Sequence, residues 1–153
     1  MGPGDKRLQI RPVVLDTSVL VAYLRAGRYA SFVLEHIKTD SVFLPCVVLA
    51  ELYAGAVTNE DLRDVEDFRR ALGPRIVSSD ERAWILAGRC LSRYAMRWGK
   101  IRPRDHLADI LIAVCAAQFN SDLITENNLH MQRWSSILKR QGFRLNVLKP
   151  PVA

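Results

Sequence analysis

Four groups of oxygen-bearing side chains stand beside apolar runs. Asp16 follows Val13, Val14 and Leu15 and precedes Thr17 and Ser18. Glu51 lies just past the apolar run at 42–48. Asp109 sits in Ala108-Asp109-Ile110-Leu111-Ile112-Ala113, and Thr125, Glu126, Asn127 and Asn128 follow Leu123 and Ile124. Each has an ordinary structural explanation. Asp caps helices, Glu suits a first helical turn where the dipole favours negative charge, and Asn-rich segments make turns. Asp109 is the hardest to explain that way. Leu107, Ile110, Leu111 and Val114 form one stripe of its helix, and Ile112, Ala113 and Ala116 share its own face. Such a helix is apolar nearly all round and therefore buried. A carboxylate there needs a partner, either an arginine or a bound cation. Asp105 lies one helical turn earlier on the same side. Together the donors are hard oxygens without Cys or paired His, a set that suits Mg²⁺ or Mn²⁺ and not zinc or copper. Metals held by carboxylates activate water and neutralise a phosphate during in-line displacement.

Position is what gives these acids meaning. Short apolar runs at 13–15, 42–48 and 123–125 predict strands buried on both faces, 75–78 a short strand, and 143–148 a last strand at a sheet edge. Pro45 is a possible early end to the second run. Helical spacing fills the gaps: from a cap at Thr17 or Ser18 to Arg25, with Gly27 ending it; Phe32, Val33, His36 and Ile37; a helix from Leu49; Leu62, Val65, Phe68 and Leu72; and a long helix with Trp84, Ala87, Leu91, Tyr94 and Trp98 inward. Further helices span 105–119 and 129–140. Strands alternating with helices imply a mostly parallel sheet covered on both faces. Ligands of such folds bind outside the carboxyl ends of the strands, which is where Asp16 and Thr125–Asn127 fall.

The 153 residues suit one domain: residues 1–10 read as a flexible lead, 11–149 as the folded unit and 150–153 as a tail. With 49% apolar and 25% charged residues, disorder, collagen and coiled coil are excluded. Cys46, Cys90 and Cys115 are odd in number, lack metal-ligand spacing and have apolar neighbours, so they read as small core residues in a reducing compartment. No apolar run reaches the roughly 18 residues of a membrane span. Asp16 interrupts any signal-like stretch, and the expectation is a cytoplasmic protein.

Lys plus Arg outnumber Asp plus Glu by 22 to 16, a net charge of +6 that favours an acidic partner. Arg89, Arg93 and Arg97 recur at helical spacing, and Lys100, Arg102 and Arg104 lead on toward Asp105 and Asp109. This run reads either as a solvated face or as an RNA contact. Arg133, Lys139, Arg140, Arg144 and Lys149 read as solvated. His36 reads as core. His106 and His130 flank the acids, but metal chemistry needs no histidine.

Leu15-Asp16-Thr17-Ser18-Val19-Leu20, Ala50-Glu51-Leu52-Tyr53-Ala54-Gly55, Asp109-Ile110-Leu111-Ile112-Ala113 and Thr125-Glu126-Asn127 resemble, in order, the four motifs of PIN-domain nucleases. The closest group is the VapC-like toxin ribonucleases of type II toxin–antitoxin systems. The resemblance implies a three-layer α/β/α fold with a central sheet of about five strands. It also implies Mg²⁺- or Mn²⁺-dependent cleavage of RNA, a VapB-like antitoxin and a homodimer, for which Phe32–Ile37 and Leu62–Leu72 offer apolar stripes. Asp16, Glu51 and Asp109 match the family's acids and metal ligands. Asn127 matches the fourth position, where the family has Asp or Asn; an amide there brings no charge. Asp105 offers a replacement charge, whereas Glu126, in an extended segment, points the other way. Thr17, Ser18 and Thr125 are supporting hydroxyls. An Asp-nucleophile phosphatase is disfavoured because Ser18 stands where it needs a second Asp. The remaining alternative is a binding module that keeps the fold with weak chemistry.

Overall fold

A computed structural model of the chain describes residues 10–152. All but the last residue of the expected N-terminal lead lie outside the described residues, as does Ala153. Five short strands, β1 Val13–Leu15, β2 Val42–Pro45, β3 Ile76–Val77, β4 Asp122–Ile124 and β5 Val147–Leu148, form one sheet in the order β3-β2-β1-β4-β5. All four pairings are parallel. Parallel neighbours need long crossovers, and the described helices supply them: α1 Thr17–Ala26, α2 Ala30–Lys38, α3 Cys46–Gly55, α4 Asn59–Leu72, α5 Glu81–Trp98, α6 Pro103–Gln118 and α7 Asn128–Arg140. The result is the expected three-layer α/β/α fold.

Both central strands, β1 and β4, are wholly buried. The polar member of β4, Asp122, is satisfied from the side: Arg11 Nη2 donates to it at 3.0 Å and Asn146 Nδ2 at 3.1 Å. From β1 the chain steps outward to β2 and β3, then returns to the other side of β1 with β4 and β5. The reversal lies between β1 and β4. It opens a crevice at their carboxyl ends, where ligands of open parallel sheets bind.

Several local expectations are corrected. The second strand ends at Pro45, whose ψ of 140° is still extended and makes it the N-cap of α3, so Val47 and Val48 are helical. Cys46, the first residue of that helix, is exposed, whereas Cys90 and Cys115 are buried. Asp16, not Thr17 or Ser18, caps α1. Helix α5 buries Ala83, Leu86, Ala87, Cys90, Leu91 and Tyr94, leaving Trp84 49% exposed and Trp98 half-buried. Leu62 faces outward from α4. The last strand keeps only the end of 143–148, and α6 starts two residues early, with Pro103 at a first-turn position that needs no N–H donor. Among the described residues no helix is long and apolar enough to cross a membrane.

Candidate active site

Asp16 and Thr125 meet across the β1–β4 crevice. The backbone brings them together: Asp16 N donates to Ile124 O at 2.9 Å, continuing the ladder past the strand ends. The fully buried Thr125 hydroxyl then donates to Asp16 Oδ2 at 2.7 Å and accepts from Asn127 N at 2.9 Å. The other carboxylate oxygen, Asp16 Oδ1, accepts from Thr17 N at 2.8 Å at the start of α1. Cap and site are therefore one residue using different oxygens. Each oxygen has one hydrogen bond and keeps acceptor capacity for a further ligand.

Glu51 comes from α3. The residue is exposed, but its carboxylate reaches back to accept from Thr17 Oγ1 at 2.9 Å. Partial desolvation pushes its pKa up; the Thr17 hydrogen bond opposes this, and the charges of Asp16 and Asp109 add to it. Asp109 projects from α6. Burial pushes its carboxyl up as well, again helped by Asp16, while His130 and His106 pull it down. Asp16, Glu51 and Asp109 thus face a common space, and their mutual repulsion is what a cation would relieve.

The donor set fits a magnesium-like ion. All three acids offer hard oxygens, and Ser18 Oγ, two residues along the chain from Asp16, is buried with no hydrogen-bond partner. Among the described residues no three His, Cys, Asp or Glu side chains gather tightly enough to cage a metal by themselves. An ion held here would therefore take one or two of these carboxylates and complete its shell with waters and substrate phosphates.

The remaining sequence candidates divide. Asn127 is the N-cap residue of α7, and its amide makes no capping hydrogen bond. Glu126 is held elsewhere: Tyr29 Oη donates to it at 2.6 Å and Arg28 pairs with it at 3.5 Å. Asp105 lies exposed in the first turn of α6, with no side-chain hydrogen bond or ion pair among the described residues. Arg89, Arg93 and Arg97 are exposed on α5; Lys100, Arg102 and Arg104 are exposed around the start of α6.

One group reaches the acids that metal chemistry alone does not require. His130 Nε2 lies 3.3 Å from Asp109 Oδ2 and 3.2 Å from Trp134 Nε1, which donates to it. A single ring nitrogen cannot accept from the indole and donate to the carboxylate at once, so the two contacts are competing partners. His106 packs beside His130 with ring centroids 5.5 Å apart, and its buried Nδ1 has no partner. Tyr94 and Trp134 complete this aromatic wall. The available signal was position, since His130 lies in the first turn of the helix that follows β4.

The PIN domain family model matches residues 13–133. The chain belongs to the PIN-domain family. No curated protein sequence matches it. Solved structures similar to this PIN domain include VapBC2 from Rickettsia felis bound to a DNA fragment from the promoter, at 21% identity and TM-score 0.67, covering 90% of this chain and 97% of that one. FitAcB from Neisseria gonorrhoeae matches at 21% identity and TM-score 0.67, again over 90% and 97%. VapBC-1 from nontypeable Haemophilus influenzae matches at 20% and 0.65, over 88% and 96%. At these identities the likeness establishes the fold.

Proposed function

We propose that this PIN domain, residues 11–149, is a divalent-metal-dependent endoribonuclease that acts as a cytoplasmic toxin and is neutralised by a VapB-like antitoxin. The observation that carries the reading is the set of three acids at the strand-end crevice, two of which have their pKa values raised partly by their neighbours' charges. Family membership supports nuclease chemistry, and the resemblance to antitoxin-bound structures supports the partner.

Asp16, Glu51 and Asp109 would hold Mg²⁺ or Mn²⁺. Such an ion, when bound, neutralises phosphate charge and lowers the pKa of a coordinated water. The chain's own groups do the rest. Thr125 and Thr17 fix the rotamers of Asp16 and Glu51 through their hydrogen bonds. The free Asn127 amide and the Ser18 hydroxyl orient water or a phosphate oxygen without adding charge. Arg89, Arg93, Arg97, Lys100, Arg102 and Arg104 attract the RNA backbone. Homodimerisation uses outward-facing apolar residues such as Leu34 and Leu62.

The test is cleavage of structured RNA by antitoxin-free protein with Mg²⁺ or Mn²⁺, beside a chelator control and Asp16→Asn. Cleavage lost in both controls supports the metal nuclease. Folded protein that cleaves nothing favours the second reading, a nucleic-acid- or partner-binding module with weak chemistry. One observation speaks for that alternative: the uncharged Asn127 at the fourth position.

A further inference from the structure

We propose that the trough between α5 and α7 holds the phosphodiester backbone of the RNA strand as it leaves the acid crevice. The inference rests on the nuclease reading and adds a path for the substrate.

The trough is a groove of about 440 Å³ lined by Arg93, Met96, Arg97, Ile137, Arg140 and Gln141. A second groove, sharing Arg93, Met96 and Gln141 and adding Arg89, continues it along α5. No acid lines either groove. Among the described residues Arg89, Arg93 and Arg140 have no carboxylate partner, and Arg97 is held only by Ser136 Oγ at 3.1 Å and the Trp98 ring. Unneutralised arginines facing one another repel and are exposed at a cost, which a polyanion would remove. The lining also offers apolar surface: Met96 is 72% exposed, next to the buried Ile137. A groove lined by arginines and an exposed methionine suits a chain of phosphates, the backbone-tracking half of single-strand channels. Arg140 thereby gains a role in place of simple solvation.

The two helices that form the trough also pack against the acid-bearing side of the protein. Tyr94 of α5 packs on Trp134 and His130 of α7, and His130 touches Asp109. Arg133 bridges the two helices by donating to Tyr94 Oη at 3.0 Å. Along α7, Arg140 lies ten residues beyond His130, about 15 Å at 1.5 Å per residue. A stacked strand rising about 3.4 Å per nucleotide covers that distance in about four nucleotides.

The experiment measures RNA affinity against salt with chelator present, so that binding is read without cleavage. The proteins are wild type, Arg93→Ala, Arg140→Ala, the double variant, and Arg63→Ala on α4 as a control. Each trough variant should lower the slope of log K against log salt by about 0.7, the value per phosphate for single strands; Arg63→Ala should not. RNAs extending fewer than about four nucleotides from the cut site, on both sides, should not sense Arg140→Ala. Unchanged slopes in both trough variants overturn the path, as does an equal effect of Arg63→Ala. Cleavage is then read in Mg²⁺ to separate the two readings. Cleavage with unchanged slopes refutes the trough and leaves the nuclease. Reduced slopes without any cleavage support the trough and refute the nuclease.

Discussion

Replacing Thr125 by Val separates a hydroxyl's contribution from that of the space it fills. The side chain is fully buried, and its hydroxyl joins Asp16 Oδ2 to Asn127 N. Valine keeps the shape and deletes both bonds. The bond to a charged carboxylate is worth about 1.5–3 kcal/mol. The bond from Asn127 N matters less, because that residue is exposed and water can replace it. A loss of about 2 kcal/mol lowers the melting temperature of a chain this size by about 4–8 °C. Thr125→Ser keeps the hydroxyl and deletes a methyl, costing about 1 kcal/mol.

The stability of the two variants thus differs modestly, but metal binding separates them. Removing a residue that orients a ligand costs about 10–100-fold in metal affinity or activity. Calorimetric titration with Mn²⁺ should therefore show Thr125→Val weakened by that factor and Thr125→Ser close to wild type. If Val binds as tightly as wild type, the hydroxyl does not orient Asp16. If Ser weakens as far as Val, the methyl's packing carries the effect and the reasoning fails.

Three further outcomes follow from the same geometry. Asp109 and Glu51 carry raised pKa values, so the fold favours their protonated forms; metal-free stability should fall as pH rises from the ordinary carboxylate range, about pH 4, through the raised values, and stay low at neutral pH. Asp109→Asn should flatten that fall and raise the metal-free melting temperature at pH 7 in calorimetry; a lower melting point would sink the repulsion account. Mg²⁺ at 100 times its dissociation constant should stabilise wild type by about 2.7 kcal/mol, roughly 5–11 °C, and Asp109→Asn by much less. In native protein a thiol reagent should modify Cys46 alone, since burial pushes Cys90 up to about 11 and Cys115 up to about 12; rapid reaction of a second thiol before unfolding would contradict the packing around α5 and α6.

The sheet was legible because β1 and β4 are covered on both faces, so their apolarity is continuous and their ends are marked by the first polar residue. The same logic misled at β2. Val47 and Val48 extend the apolar run beyond Pro45, and composition alone cannot tell a buried strand from a buried helix. Trp84 went wrong for a different reason. The buried stripe of α5 keeps the expected Ala87, Leu91 and Tyr94 but begins at Ala83, adding Leu86 and Cys90, so the tryptophan next to Ala83 stays outside. Asp16 was readable as a strand-end acid because β1 ends just before it. Glu51 and Asp109 are carried by α3 and α6, and stood out only through their motifs and the apolar surroundings of Asp109. His130 was placed beside the acids by its position, but its contact with Asp109 was not legible, because that depends on how α6 and α7 pack side by side.

Asp16 shows why a structural and a chemical reading of one residue need not compete. A helix cap needs one acceptor oxygen at the end of a strand, and a metal ligand needs a carboxylate at the same place. The reversal of strand order between β1 and β4 makes those places identical, so one oxygen meets Thr17 N and the other meets Thr125. A cap replaced by Asn would preserve the first requirement almost fully, because Asn caps as well as Asp, while removing the charge the second depends on. Asp16→Asn therefore removes the charge while keeping the helix cap; its folding cost is the lost acceptor for the buried Thr125 hydroxyl, about 1.5–3 kcal/mol. A folded, uncleaving Asp16→Asn protein would tie the lost activity to the carboxylate's charge and not to a broken helix.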